Sequence, residues 1–250
     1  MLASLLLSPP QLRAAHRSRS CSCYAAATED PDAIVHACLE GPAASLPEDA
    51  RARVEGYVRE LLRYNERTNV YSKSAYAHLP FHVHDSIVLG QLIAAASSGK
   101  DGGGVLDLGS GSGLPSVVAA SVNPELPVYA VESKSRKTRF LTRVARKLDL
   151  PLYTALTRNV HEYCASWVFD VDVVTAKAFK PLPEVVPIAR RAVMNGAMLH
   201  IPISEAQVTQ YELAEKQLVR QGEFLYFREQ IDASHGAAQR KLVRPGGGSG

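Results

Sequence analysis

The sequence predicts an α/β fold, in which a doubly wound and mostly parallel sheet follows an N-terminal helical extension. Three observations support this prediction. Between residues 105 and 229, short apolar segments alternate with segments of helical period, as in successive βαβ units. A glycine-rich loop, "VLDLGSGSGLP", includes and follows the first apolar segment. Upstream, only helical patterns occur, and "SSGKDGGG" marks a boundary near residue 100.

The helical extension, residues 29–100, holds two predicted helices. The first covers 48–66, where apolar side chains recur at helical spacing between charged ones: Val54, Tyr57, Val58, Leu61 and Leu62. The second covers roughly 84–97 and follows the polar turn "RTNVYSKSAY".

The following domain, residues 101–244, is predicted to contain alternating strands and helices. The strand candidates are "GVLDLG", "PVYAVES", "PLYTAL", "FDVDVVTAK", "GAMLHIPI" and "EFLYFRE". The helix candidates are "LPSVVAASV", "KSRKTRFLTRVARKLDL" and the long segment "SEAQVTQYELAEKQLVRQG". Residues 245–250 are predicted to form a flexible tail.

The first 28 residues have the composition of an organellar transit peptide, rich in Ser, Arg, Ala and Leu and without acidic residues. We therefore expect a chloroplast location, with the mitochondrion as second choice. Removing Arg13, Arg17 and Arg19 leaves equal numbers of basic and acidic residues, so nucleic-acid binding needs a local basic patch. The sequence has no apolar run of about 18 residues and no cysteine pair with metal spacing, so we expect neither a membrane span nor bound metal.

The glycine loop differs from a dinucleotide-binding loop. The latter reads G-x-G-x-x-G, and its third glycine allows close packing of helix on strand. Counting from Gly109 places Leu114 at that third position, and counting from Gly111 places Ser116 there. The spacing is instead D-x-G-x-G-x-G. Dinucleotide binding by an oxidoreductase stays open as an alternative, but the spacing disfavours it.

The acid before the loop favours a cationic ligand. The carboxylate of Asp107 would repel a pyrophosphate and attract S-adenosyl-methionine, which carries an ammonium and a sulfonium. Glu132 ends the second predicted strand, where an acid can accept hydrogen bonds from both ribose hydroxyls. We therefore predict a binding site for S-adenosyl-methionine formed by Asp107, Gly109, Ser110, Gly111, Gly113, Leu114 and Glu132.

The methyl acceptor is indicated by what the fourth predicted strand lacks. The segment "VTAKAFKPL" has no Asn/Asp-Pro-Pro-aromatic signature of exocyclic-amine methylation, and no cysteine lies in or beside it for cytosine C5 chemistry. Guanine N7 is consistent with these features, because its lone pair needs no general base and catalysis reduces to positioning and desolvation.

A basic cluster supports a nucleic-acid substrate. Residues 134–147 contain seven Lys or Arg and no acid. Four arginines fall within one helical stripe, Arg136, Arg139, Arg143 and Arg146, while Phe140 and Val144 can face the core. The cluster is interpreted either as a phosphate-binding surface or as an ordinary solvated helix face.

Several motifs in this order resemble the small-subunit ribosomal RNA methyltransferase G family, also called glucose-inhibited division protein B. The resemblance covers about residues 50–230. "YNERTNVYS", "FHVHDSIVL", "VLDLGSGSGLPSV", "ESKSRKTRFL" and "AKAF" each look like a family motif. The Gly-Leu-Pro that leaves the loop and the upstream His-x-x-Asp-Ser, here His82, Asp85 and Ser86, are the most specific of these.

The resemblance implies methyl transfer from S-adenosyl-methionine to guanine N7 in bacterial-type small-subunit rRNA, as free rRNA or within a ribosomal subunit, by an enzyme that we expect to be a monomer. It also implies that Arg139, Lys177 and Arg158 orient the rRNA phosphate or base, and that His82, Asp85 and Ser86 join the helical extension to the catalytic domain. Two of the departures from the family concern the acceptor side: Lys177 replaces an arginine, and "LHIPIS" replaces a Lys-Gly. A catalytically impaired relative that binds S-adenosyl-methionine and acts as an RNA-binding or ribosome-assembly factor is therefore the second hypothesis.

Overall fold

A computed structural model describes residues 30–97, 103–162, 167–194, 196–231 and 241–243. The predicted transit peptide, 1–28, and the predicted tail, 245–250, lie outside the described residues, as does Cys164. No helix in the described ranges has both the length and the apolar character needed to cross a lipid bilayer.

The N-terminal extension is helical, as predicted. It contains α1 (Pro31–Cys38), α2 (Glu48–Asn65) and α3 (Leu79–Ser97), with 3-10 turns at Gly41–Ser45 and Lys73–His78. The apolar stripe predicted on α2 is buried. Helix α3 begins five residues before its predicted start, and α1, capped by the Asp30 side chain, was not predicted.

The strands form a doubly wound sheet. Their bounds are β1 Val105–Leu108, β2 Val128–Glu132, β3 Tyr153–Thr157, β4 Trp167–Phe169, β5 Val173–Thr175, β6 Ala197–Pro202, β7 Leu218–Gln221, β8 Phe224–Ile231 and β9 Lys241–Val243. Among the described residues the main sheet has seven strands in the order β3-β2-β1-β5-β6-β8-β7. The first five are mutually parallel, and β8 and β7 are antiparallel additions. This confirms the predicted fold class.

Helices cover both faces of the sheet. The connecting helices are α4 (Ser116–Val122), α5 (Ser135–Lys147), α6 (Leu182–Ala192) and α7 (Glu205–Gln210). On one face, α2 and α3 of the extension share a hydrophobic core with α4 and α5, in which Phe140 and Val144 are buried as expected. On the other face, α6 covers a second core. The extension therefore supplies part of the main core.

The long helix predicted over 204–222 is wrong. A capping box between Ser204 and Gln207 starts the short α7, which ends before Glu212, a residue of positive φ. Near the end of the segment, after a 3-10 turn at Glu215–Gln217, residues 218–221 form β7, which pairs with β8 across Gly222 (φ 60°) as a hairpin. Cross-strand pairing on an existing sheet outweighs the helical propensity of this polar segment.

The single strand predicted from "FDVDVVTAK" is also wrong, because the segment contributes to two strands. Strand β5 enters the centre of the main sheet, while β4 pairs in parallel with β9 in a separate two-stranded sheet. Helix α6 was missed because Pro183 and Pro187 interrupt its apolar pattern.

Candidate functional site

The strand order places a cleft at the switch point of the sheet. The chain runs outward from β1 through β2 to β3 and then returns to the other side of β1 with β5, and such a reversal opens a crevice at the carboxyl ends of the strands. A cavity of about 300 Å³ lies there. Its walls come from the segments that follow β1, β2, β3 and β5, and include Gly109, Glu132, Arg158, His161, Phe179 and Lys180.

The glycine loop that follows β1 needs its glycines. Gly109, Gly111 and Gly113 all have positive φ, a conformation that side chains disfavour. A Cβ on Gly113 would lie 2.5 Å from Val117 Cγ2, and a Cβ on Gly109 would overlap the Phe179 ring. The predicted Leu114 is buried at the end of the loop. The glycines therefore let the backbone turn sharply while α4 and Phe179 pack closely against it.

Hydrogen bonds fix this loop to β2. The amide of Gly109 donates to the carbonyl of Val131 at 2.9 Å, and the amide of Gly111 donates to Glu132 Oε2 at 3.0 Å. The other oxygen of Glu132 accepts from the amide of Lys134 at 2.8 Å. The Ser133 hydroxyl also donates to Glu132 Oε1, at 3.3 Å. Since an ionised carboxylate has about four acceptor positions, Glu132 on the cleft wall keeps some capacity to accept a ligand hydroxyl, such as that of a ribose.

Asp107 is fully buried in β1. Neither carboxylate oxygen has a hydrogen-bond partner among the described residues, although Ser110 donates to the Asp107 backbone carbonyl at 3.1 Å. Burial raises the pKa of Asp107 to about 6. A buried acceptor without a donor is costly and fits a ligand that brings one, such as an ammonium group.

Lys177 lies two residues beyond β5 and is tied to the extension. Its Nζ is 2.5 Å from Asp85 Oδ2 and donates to the His82 carbonyl at 3.4 Å. The side chains are 12% exposed for Lys177 and 5% for Asp85. The Ser86 hydroxyl donates to the same His82 carbonyl, at 2.6 Å. His82, Asp85 and Ser86 thus lie where α3 meets the catalytic edge of the sheet.

The three predicted substrate-orienting cations lie in different places. Arg158 follows β3 and lines the cleft. Lys177 lies beneath α3, as described above. Arg139 is exposed on α5 and lines a separate groove of about 370 Å³, together with Arg146 and several hydroxyl side chains: Ser135, Thr138, Thr142 and Thr157. The structure therefore does not bring Arg139 into the cleft with Arg158.

Two of the four arginines in the predicted stripe on α5, Arg136 and Arg143, contact the N-terminal extension. Arg143 Nε lies 2.6 Å from Glu60 Oε1, and Arg136 donates to the carbonyl of Asn69. Lys147 and Arg63 also pair with Glu60, which is 1% exposed. Burial would raise the pKa of Glu60, but these three cations lower it to about 2.

Several polar or aromatic residues that line the cleft were not predicted as site residues, among them Lys137, Asn159, His161, Phe179 and Lys180. Position alone could have indicated them, since each follows a strand end or starts the next helix. His200, the histidine of "LHIPIS", lies inside β6 and is buried. Burial lowers its pKa to about 4, so its imidazole is neutral at physiological pH.

The strand order and the glycine loop at its switch point define a class I, Rossmann-like methyltransferase. A family model described as rRNA small subunit methyltransferase G matches residues 50–242, and the chain belongs to this family. The resemblance drawn from the motifs is thus confirmed, and the alternative of a dinucleotide oxidoreductase is set aside.

Relatives in bacteria agree with this family. The ribosomal RNA small subunit methyltransferase G of Halorhodospira halophila is 29% identical over 187 residues, which cover 74% of this chain and 83% of that protein. The protein of the same name from Anaeromyxobacter dehalogenans is 31% identical over 173 residues, 67% of this chain and 78% of that one. Among solved structures, a SAM-dependent O-methyltransferase from Thermotoga maritima gives a TM-score of 0.45 at 17% identity, with 70% and 71% of the two chains covered.

Proposed function

We propose that this enzyme transfers a methyl group from S-adenosyl-methionine to N7 of a guanine in bacterial-type small-subunit rRNA, in the chloroplast or, as second choice, the mitochondrion. One observation carries the donor assignment: the buried carboxylate of Asp107 has no partner among the described residues and lies directly before the glycine loop. Family membership supports the rRNA substrate.

The site residues fit the donor chemically. Asp107 would accept from the donor's ammonium, Glu132 from its ribose hydroxyls, and the glycine loop would allow close approach of the backbone. When bound, S-adenosyl-methionine supplies an electrophilic methyl group. The protein's task is then to hold the acceptor nitrogen in line with that methyl and to exclude water.

The acceptor side needs no proton transfer for N7 chemistry. Burial lowers the pKa of His82 to about 4, so its imidazole is neutral at physiological pH. Around the cleft, Lys137, Arg158 and Lys180 provide positive charge for RNA phosphates. We therefore expect catalysis by positioning rather than by a general base.

The experiment is to map N7-methylguanine in chloroplast and mitochondrial small-subunit rRNA, with and without the gene. We expect one guanine to lose its methyl group in the deletion, wild type to restore it, and Asp107→Ala to fail while remaining folded. Isothermal titration should show that Asp107→Ala has lost S-adenosyl-methionine binding, at a cost on the order of a few kcal/mol. Unchanged methylation at every guanine would contradict the proposal.

A second function, in RNA binding or ribosome assembly without methyl transfer, is favoured by one observation. The segment leaving β6, Pro202 to Ser204, has no cation where the family has lysine. In that case Asp107→Ala would rescue subunit assembly in the deletion strain as well as wild type does. Failure of Asp107→Ala to rescue would count against this second function.

A further inference from the structure

Lys177 leaves the sheet beside the strand that carries Asp107. Strands β1 and β5 are parallel neighbours, and Asp107 is paired in register with Thr175, the last residue of β5. Lys177 follows Thr175 by two residues. A buried anion and an enclosed cation therefore lie at the carboxyl ends of two adjacent strands, where a class I methyltransferase holds its donor.

The ammonium of Lys177 has hydrogen-bonding capacity left. An ammonium has three N–H donors, and among the described residues only the Asp85 carboxylate and the His82 carbonyl accept from it. The side chain is 12% exposed, which is little for a lysine that would contact the phosphates of a large RNA. Its remaining donor can bond to an acceptor on a bound ligand.

Asp107, in contrast, has acceptor atoms without donors. Its two oxygens are buried and lack donors among the described residues. Burial raises the pKa of Asp107, and the positive charge of Lys177 is among the influences that partly offset the rise. The two groups thus interact electrostatically without a hydrogen bond between them. An amino-acid zwitterion carries the ammonium and the carboxylate that would satisfy both.

We propose that Lys177 binds the carboxylate of the methionine moiety of S-adenosyl-methionine, while Asp107 binds its ammonium; this inference rests on the proposed function. Asp85 is then a positioning residue, since it holds the flexible lysine side chain in one place from α3. The role differs from that implied by the family resemblance, in which Lys177 orients the rRNA phosphate or base.

The test compares two ligands by isothermal titration: S-adenosyl-methionine and its decarboxylated form, which lacks only the carboxylate. We expect wild type to bind the first roughly 10- to 100-fold more tightly, as for one charge-assisted contact. Lys177→Met should bind both within about threefold of each other. Asp85→Asn should reduce the preference partly, and Lys177→Arg should retain part of it.

Lys216→Met is the control, because Lys216 is an exposed lysine that lies just before β7 and does not line the cleft. This variant should keep the full preference for the carboxylate. Equal affinities of the two ligands for wild type would overturn the proposal even if Lys177→Met fails to fold. A folded Lys177→Met that keeps the preference would also overturn it. Absence of any S-adenosyl-methionine binding by wild type would instead contradict the proposed function.

Discussion

The hydroxyl of Tyr57 in α2 donates to the carbonyl of Ser112 in the glycine loop at 3.0 Å, and Tyr57 is fully buried. A helix of the N-terminal extension thus supports the glycine loop by a hydrogen bond across 55 residues of sequence. The extension therefore does more than cover the sheet, because it restrains the backbone of the loop at the edge of the cleft.

Tyr57→Phe should lower the free energy of unfolding by about 1–2 kcal/mol, because the buried Ser112 carbonyl loses its donor. We also expect a few-fold weaker S-adenosyl-methionine binding from the less restrained loop. Urea unfolding and isothermal titration measure these effects. Tyr64→Phe is the control, since the Tyr64 hydroxyl makes no hydrogen bond within the described residues. Equal effects of the two variants would show that the bond to Ser112 is unimportant.

Glu60→Gln should destabilise the protein at pH 7 by about 2 kcal/mol, since three cations lose their buried partner. The loss is smaller than the lowered pKa of Glu60 alone would imply, because the three cations are about half exposed and solvent screens their charges. Glu55→Gln is the control: Glu55 pairs with Arg59 on the surface, and its loss should cost under about 1 kcal/mol.

The same carboxylate should make stability depend on pH. The pKa of Glu60 is lowered from 4.5 to about 2 in the folded state, so its contribution is fully present above about 4.5 and is lost as pH falls towards 2. The difference in unfolding free energy between wild type and Glu60→Gln should shrink over that range. A constant difference from pH 6 to pH 2.5 would contradict the assignment.

S-adenosyl-methionine binding should weaken as pH falls through about 6, because protonated Asp107 loses its attraction for the ammonium. Titrations from pH 5 to pH 8 should show this dependence in wild type. Asp107→Asn should bind weakly, without the step near pH 6. An unchanged affinity of wild type across this range would mean that the Asp107 carboxylate does not contact the ligand.

Asp107→Asn should also stabilise the ligand-free protein at pH 7. Because the folded-state pKa of about 6 exceeds the unfolded value of 3.8, wild type loses stability as pH rises between these values. Removing the buried charge should recover roughly 2–3 kcal/mol. Thermal unfolding at pH 7 and pH 4 measures this gain, which should vanish at the lower pH.

Gly113→Ala should destabilise the fold by about 2–3 kcal/mol, through the positive φ of 96° and the contact with Val117. Gly222→Ala is a matched control, since its φ is also positive but its Cβ would meet nothing within 4 Å. We expect that variant to cost about 1 kcal/mol from the backbone alone. Similar losses of stability for both variants would show that Val117 moves at little cost to accommodate the added Cβ.

Arg158→Gln should reduce kcat/KM for rRNA and leave S-adenosyl-methionine affinity unchanged, since Arg158 lines the cleft beside the donor residues. The slope of log affinity for rRNA against log salt should fall by about 0.7–0.9 for one lost phosphate contact. The control is Arg190→Gln, because Arg190 lies on α6 and pairs with Glu229 of β8. This variant should leave the slope unchanged. An unchanged slope in Arg158→Gln would exclude a phosphate contact.

Local sequence patterns predicted those elements in which the spacing of apolar side chains matches the face that is buried. The apolar stripe of α2, the paired apolar positions Phe140 and Val144 in α5, and the strands β1 and β2 all carry a periodicity that burial alone explains. The glycine loop was also evident, because positive φ at Gly109 and Gly113 restricts the residue type. These features need no knowledge of distant parts of the chain.

Other elements depended on partners far away in sequence. Segment 218–221 became a strand because β8 offered a free edge, and β4 left the main sheet to pair with β9. Helix α6 contains Pro187, yet its apolar face covers the second core. In each case burial and strand pairing contributed more than local propensity. A pattern along one segment cannot reveal these long-range contributions.

The sequence by itself determined the α/β class, the donor loop and the family, because spacing and residue type carry that information. Only the tertiary structure decided how the charged groups are paired. It separated Arg139 from the cleft, placed Arg143 on Glu60, and enclosed Lys177 beneath α3 against Asp85, 92 residues away. Electrostatic interactions depend on distance and burial, and both arise only when remote segments pack together.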